Sequence, residues 1–126
     1  MDAGGTDLLG LAASRLNWLD QRQKVLARNI ANSDTPNFMP RDEQSFDDVM
    51  RNGTLALTQT NSRDLAGDTS NAGTVAMKVK SRSINGNGVA LDEQMMKVAD
   101  TDTQQRLVTS LYSRYMGMFQ TAIGKN

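Results

Sequence analysis

The sequence predicts a mainly α protein. Long N- and C-terminal helices pair as an antiparallel, coiled-coil-like unit, with a polar, weakly β-forming excursion between them. Three observations carry this reading. Apolar residues recur at 3/4 spacing near both ends of the chain. No glycine or proline interrupts residues 11–35 or 90–116. Half of residues 53–88 are Gly, Asn, Ser or Thr, too polar a run to bury much surface.

The first helix is expected from about Asp7 to Asn32. Leu9, Ala12, Leu16, Leu19, Leu26 and Ile30 form a heptad ladder, with Gln23 in the remaining slot. Leu8, Leu11, Ala27 and Ala31 widen the stripe, and Thr6 or Asp7 can cap its start. At ~1.5 Å per residue such a helix is about 40 Å long. It stops at "NSDTPNF", residues 32–38. Asn32 can end it in a left-handed conformation, and Asp34 can form an Asx-turn. Thr35 is biased away from the helical region by Pro36, which also lacks a donor. Phe38 offers a ring that can fold back on the helix end.

The middle segment carries two short strand signals, "LALTQT" at 55–60 and "VAMKVK" at 75–80, and turn signals at "RNGT" and "NGNG". A single weak hairpin is expected there. The last helix is expected from Leu91 to Ile123. Leu91, Val98, Val108, Tyr112, Tyr115, Phe119 and Ala122 form its ladder, and Gln94, Thr101 and Gln105 fill the polar slots. Leu107, Leu111 and Met118 extend the apolar face. Asp92 and Glu93 suit the positive end of the helix dipole. "DTDTQQ" at 100–105 is a weak centre where an irregularity is expected. The chain therefore divides into a helical unit of residues 1–36 and 89–126 and a connection of residues 37–88.

Two helices cannot cover both stripes, since compact bundles use more. With 126 residues, 38% apolar and 5% aromatic, an independent thick core is not expected. The shortfall predicts assembly with other copies or other proteins.

Fourteen basic residues balance fourteen acidic ones, so no field draws in nucleic acid. The absence of cysteine and histidine excludes disulfides, thiolate nucleophiles, Cys/His zinc sites and a Ser-His-Asp triad. Asp92, Glu93, Asp100 and Asp102 lack the spacing of a calcium loop. No catalytic, cofactor or metal residue is assigned. The methionines at 77, 95, 96, 116 and 118 read as gap fillers, Arg41 and Asp42 as a solvated pair, and Trp18 as core rim or subunit contact. No run reaches about 20 apolar residues, so no transmembrane helix is expected. The first residues, without a basic start, make a poor cleavable signal.

"RQKVLARNIANSDTPNFMPRD", residues 22–42, resembles the N-terminal signature of bacterial flagellar basal-body rod proteins. That signature is a helix ending Asn-Ile-Ala-Asn, then a small residue and Asp-Thr-Pro-Gly-Tyr. "RDEQSFDDVM" and "VALDEQMMKVADT" are similar to stretches of the family's proximal-rod member. Asn37 stands in place of the family's glycine, Phe38 in place of tyrosine, and Gln94 in place of glutamate. The resemblance implies a turn motif made of Asn29, Asn32, Asp34, Thr35, Pro36, Asn37, Phe38, Arg41 and Asp42.

It further implies a structural, non-enzymatic subunit of the proximal rod. Such a subunit leaves the cytoplasm through the flagellar type III export apparatus without a cleaved signal and resides in the periplasmic rod. It polymerises through its terminal helices into a tube around an export channel. Copies of itself, other rod proteins and the adaptor at the MS ring are its implied partners. The assembly stripes are Leu9, Leu16, Leu19, Leu26 and Ile30 on the first helix, with Val98, Val108, Leu111, Tyr112, Tyr115 and Phe119 on the last. The runner-up reading is a small helical adaptor or export chaperone that binds proteins without polymerising.

Overall fold

A computed structural model describes residues 3–51 and 74–124, with side chains from residue 8 onward. Five elements follow in order: α1 (Ala3–Ala31), β1 (Arg41–Glu43), α2 (Phe46–Arg51), β2 (Thr74–Ala76) and α3 (Leu91–Ile123). The two long helices pack against each other. Their direction is antiparallel: Arg15 of α1 meets Gln104 of α3, Gln23 meets Val98, and Asn29 meets Gln94. β1 and β2 form a two-stranded antiparallel sheet that lies between the helices in sequence, pairing Arg41 with Ala76 and Glu43 with Thr74.

The heptad ladder of α1 does face α3. Leu19 and Leu26 are fully buried at 0% exposure, and Leu9, Ala12, Leu16 and Ile30 are half-buried. Ala27 and Ala31 lie outside the stripe, exposed on the far side of the helix. On α3, the polar slots rather than the apolar ones are the best covered: Gln94 and Thr101 are buried, while Val98, Val108, Tyr112 and Tyr115 are half-buried. The reason is position. Gln94 and Thr101 sit at the loop end, where sheet and turn add cover; the apolar residues of α3 concentrate toward its free end.

Several local expectations are corrected. α1 begins at Ala3, ahead of the cap expected at Thr6 or Asp7. α3 runs unbroken through 100–105. There the side chains of Gln104 and Arg106 reach back one turn to Asp100 and Asp102, and these i,i+4 contacts support the polar stretch. Asn32 does not adopt a left-handed conformation; among the described non-glycine residues only Asn37 does, at φ 60°. α1 instead unwinds through tight turns, Ser33 N donating to Ile30 O and Thr35 N to Asn32 O, both at 3.1 Å. The Asx-turn expected at Asp34 is not among the described hydrogen bonds. Asn85 and Asn87 make that kind of contact, each accepting from the backbone N–H two residues on.

The strand at 74–76 pairs with β1 and not with 55–60, which lies outside the described residues. α2 was not read from the sequence. Ser45 accepts from Asp48 N at 3.2 Å and donates to the Asp48 carboxylate at 2.6 Å, a reciprocal cap at the head of the helix.

Candidate assembly surface

The loop end of the helix pair, residues 29–43 with 74–97, is built on three buried carboxamides. Asn29 ends the buried stripe of α1. Its Oδ1 accepts from Arg41 N at 3.1 Å, and its Nδ2 donates to Arg41 O at 2.6 Å and to Gln94 Oε1 at 2.8 Å. One side chain thus holds both backbone groups of a β1 residue and the first turns of α3. Asn87 Nδ2 donates to Asn32 O at 2.8 Å and Thr35 O at 2.6 Å, while its Oδ1 accepts from Val89 N at 2.8 Å. These bonds consume the carbonyls that the unwinding helix leaves open. No buried side-chain nitrogen or oxygen among the described residues lacks a partner.

The turn motif serves this end. Asn37 N donates to Asn85 O at 3.1 Å, and Gly88 N to Phe38 O at 2.9 Å, tying the 32–38 turn to the 83–88 loop. Asn37 and Gly86, at φ 79°, lie in contact; a Cβ at Gly86 would collide with the Asn37 amide. The Phe38 ring turns back on α1, lining a small cleft with Val25 and Arg28. Thr35 Oγ1 donates to Asn32 Oδ1 at 3.1 Å, while Asp34 and Pro36 are exposed.

Arg41 and Asp42 do not pair with each other as a solvated couple. Arg41 donates to Thr74 Oγ1 at 2.8 Å and to Thr74 O at 3.0 Å, so its side chain clips β1 to β2. Asp42 accepts from Arg22 Nε at 3.0 Å and Lys97 Nζ at 2.9 Å, joining β1 to both long helices. Alternation along the strand explains the split, since neighbouring side chains leave by opposite faces. Burial pushes the Asp42 carboxyl up, but the hydrogen bonds and charges of Arg22 and Lys97 outweigh it and hold it below the usual aspartate value. Glu43 is raised, by burial first and by the Asp42 charge second.

Trp18 anchors the next segment. Its Nε1 donates to Gln44 O at 2.8 Å, its ring meets Phe46 edge-on at 6.0 Å, and the Arg15 guanidinium lies 4.7 Å above it. Tryptophan here is an intrachain strut on the rim of the core.

Beyond Arg15 the picture reverses. Leu8, Leu9, Leu11 and Ala12 of α1 and Val108, Leu111, Tyr112, Tyr115 and Met118 of α3 line an open apolar groove of about 590 Å³. Leu107, Leu111 and Met118 are 59%, 55% and 63% exposed, and Phe119 is also largely uncovered. No hydrogen bond between α1 and α3 is found on this side of the Arg15–Gln104 contact among the described side chains. The stripe residues expected to act together therefore separate into two groups. Leu19 and Leu26 are core within one chain, with Ile30 and Val98 at its edge; Leu9, Val108, Leu111, Tyr112, Tyr115 and Phe119 look outward at the tip, with Leu16 between.

Sequence reasoning passed over Gln94, Asn87 and Lys97 as organising residues. Gln94 was visible as a polar residue in an apolar slot, and Asn87 inside a Gly-Asn turn signal, but neither pattern names its distant partner. Among the described residues there is no group of three or more acidic side chains able to hold a metal ion, and no helix long and apolar enough to cross a membrane.

Fold and surface together define a two-helix structural protein with a rigid elbow and an uncovered apolar tip. Residues 9–38 match the family model for "Flagella basal body rod protein". The chain is 32% identical to the flagellar basal body rod protein FlgB of Agrobacterium fabrum over 121 residues, covering 88% of each chain. It is 30% identical to that of Salmonella typhimurium over 123 residues, covering 88% of this chain and 89% of the relative. It is 32% identical to that of Bacillus subtilis over 110 residues, covering 84% and 82%. The chain belongs to the FlgB family of flagellar basal body rod proteins.

Proposed function

We propose that this protein is a structural subunit of the proximal rod of the bacterial flagellum and that it polymerises through the tips of its terminal helices. Family membership supports a structural role in the basal body, not an enzymatic one, with other rod and flagellar components as partners. The single observation that carries the polymerisation is the apolar groove and ridge at the helix tips. A surface of this kind on a small protein marks an interaction site. Helices from neighbouring copies or other rod proteins would cover it, and the adaptor at the MS ring and the type III export apparatus complete the proposed partner set. Location in the periplasmic rod and export without a cleaved signal belong to the same reading. In it, residues 1–36 and 89–126 form the assembling unit and residues 37–88 the connection.

The test separates the two groups of stripe residues. Leu111→Asp places a charge on the exposed tip, where the isolated chain loses little, so helix content should match the parent by circular dichroism. Incorporation into basal bodies, imaged by electron microscopy, and swimming motility should both be lost. Normal rods and normal motility with Leu111→Asp would overturn the reading.

A further inference from the structure

We infer that Asn29 and Gln94 act as an identity lock, positioning residues that make α1 accept the α3 of its own chain in one register and refuse the α3 of another copy. The apolar ladders cannot make that choice. Leucine and valine at 3/4 spacing fit any similar stripe, including one supplied by a neighbour or by the same α3 slipped along its axis. A polar group buried in such a seam sets register because only one alignment gives it partners, at some cost in stability.

The geometry here meets that requirement closely. Asn29 spends Oδ1 and Nδ2 on Arg41 N, Arg41 O and Gln94 Oε1, at 3.1, 2.6 and 2.8 Å. Arg41 follows Asn29 at short sequence distance, so this β1 residue comes from the same chain. Gln94 is tied in turn to the same elbow, because the loop before it is held by Asn87 Nδ2 on Asn32 O and Thr35 O. Asn29 and Gln94 are each 1% exposed. A slip of one helical turn moves Gln94 by ~5.4 Å and strands both carboxamides without water. A foreign α3 can reach Asn29 only by bringing its own 83–90 loop to an elbow already occupied. The inference goes beyond the assembly reading and does not rest on it, since it concerns pairing in dilute solution.

The chain lacks cysteine, so introduced thiols carry spin labels without interference. Gln21→Cys on α1 and Ala99→Cys on α3 lie on exposed positions near the lock. Chains carrying both labels, diluted with unlabelled protein, report the register by double electron–electron resonance. Singly labelled chains unfolded and refolded together report exchange of helices between copies. The parent should give one narrow intrachain distance and almost no short interchain distance. Gln94→Met should keep its helix content while the interchain fraction rises about tenfold, equivalent to about 1.4 kcal/mol of lost discrimination. Gln94→Glu, whose Oε1 still accepts from Asn29, should behave as the parent does. The inference is overturned by a parent-like distribution in Gln94→Met, or by Gln94→Glu misregistering as Gln94→Met does. Loss of helix content in Gln94→Met also overturns it, because the pair would then supply stability and not choice of partner.

Discussion

The two ends of the helix pair solve opposite problems. At the elbow, buried leucines are few, but every described carboxamide and carboxylate in the interior is matched by a donor or acceptor from another element. At the tip, apolar residues are plentiful and bare. Directional bonds fix geometry; apolar area supplies free energy without specifying a partner. A chain that keeps its hydrogen bonds inside and leaves its leucines outside has a defined shape and an unfinished surface. That combination suits a building block better than a self-sufficient domain.

The contrast can be broken most severely at the seam. Leu26→Ala removes a fully buried side chain and should cost about 2–5 kcal/mol, whereas Leu107→Ala on the exposed ridge should fall within about ±0.5 kcal/mol for the isolated chain. Urea unfolding of both variants reads the difference; equal losses would erase the distinction between elbow and tip. Next comes Asn87→Ala, which removes the donor to Asn32 O and Thr35 O and should destabilise by about 1–3 kcal/mol. Hydrogen exchange should rise first at residues 32–38, with no change at the helix tips.

Gly86→Ala adds a methyl group at positive φ against Asn37 and should cost on the order of 1 kcal/mol or more. A thermal melt checks it, and pairing it with Asn37→Gly should recover part of the loss by removing the opposing side chain.

The pH response is smaller and has a definite sign. Asp42 has a folded pKa below its unfolded value of about 3.9, so its stabilisation is present above that value and is lost as pH falls through the folded pKa. Glu43 has a raised folded pKa, so its ionisation opposes folding as pH rises past about 4.3. The two oppose each other in the same acid window. Asp42→Asn should leave only the Glu43 slope, so that stability falls as pH rises through this range, read by urea midpoints at steps between about pH 3 and 6. The least effect belongs to the exposed pair Asp20–Lys24, where Asp20→Ala should shift stability by less than about 0.5 kcal/mol.

Much of the fold was legible in the residues because its strongest signals are periodic. The ladder from Leu9 to Ile30 and the run from Leu91 to Ile123 required no knowledge of distant contacts; the 3.6-residue repeat brings their apolar positions onto one face in any helix. The stop at 32–38 was equally local, since Pro36 ends a helix wherever it occurs. The left-handed residue was placed at Asn32 and is found at Asn37, because both are asparagines and only the contact with Gly86 and the Asn85 carbonyl selects between them. The short helix after Ser45 was announced by Ser-x-x-Asp but stood outside any long periodic pattern.

The sequence by itself determined two long helices, a hard stop between them and a surplus of apolar stripe, because each depends on backbone preference and side-chain spacing within a few residues. Only the tertiary structure decided which part of the stripe is core and which is surface. It also decided that Asp42 faces Arg22 and Lys97 and not Arg41, and that Asn29, Asn87 and Gln94 close the elbow. Those outcomes join groups tens of residues apart, and a hydrogen bond of about 3 Å depends on where whole elements come to rest, which no local pattern records.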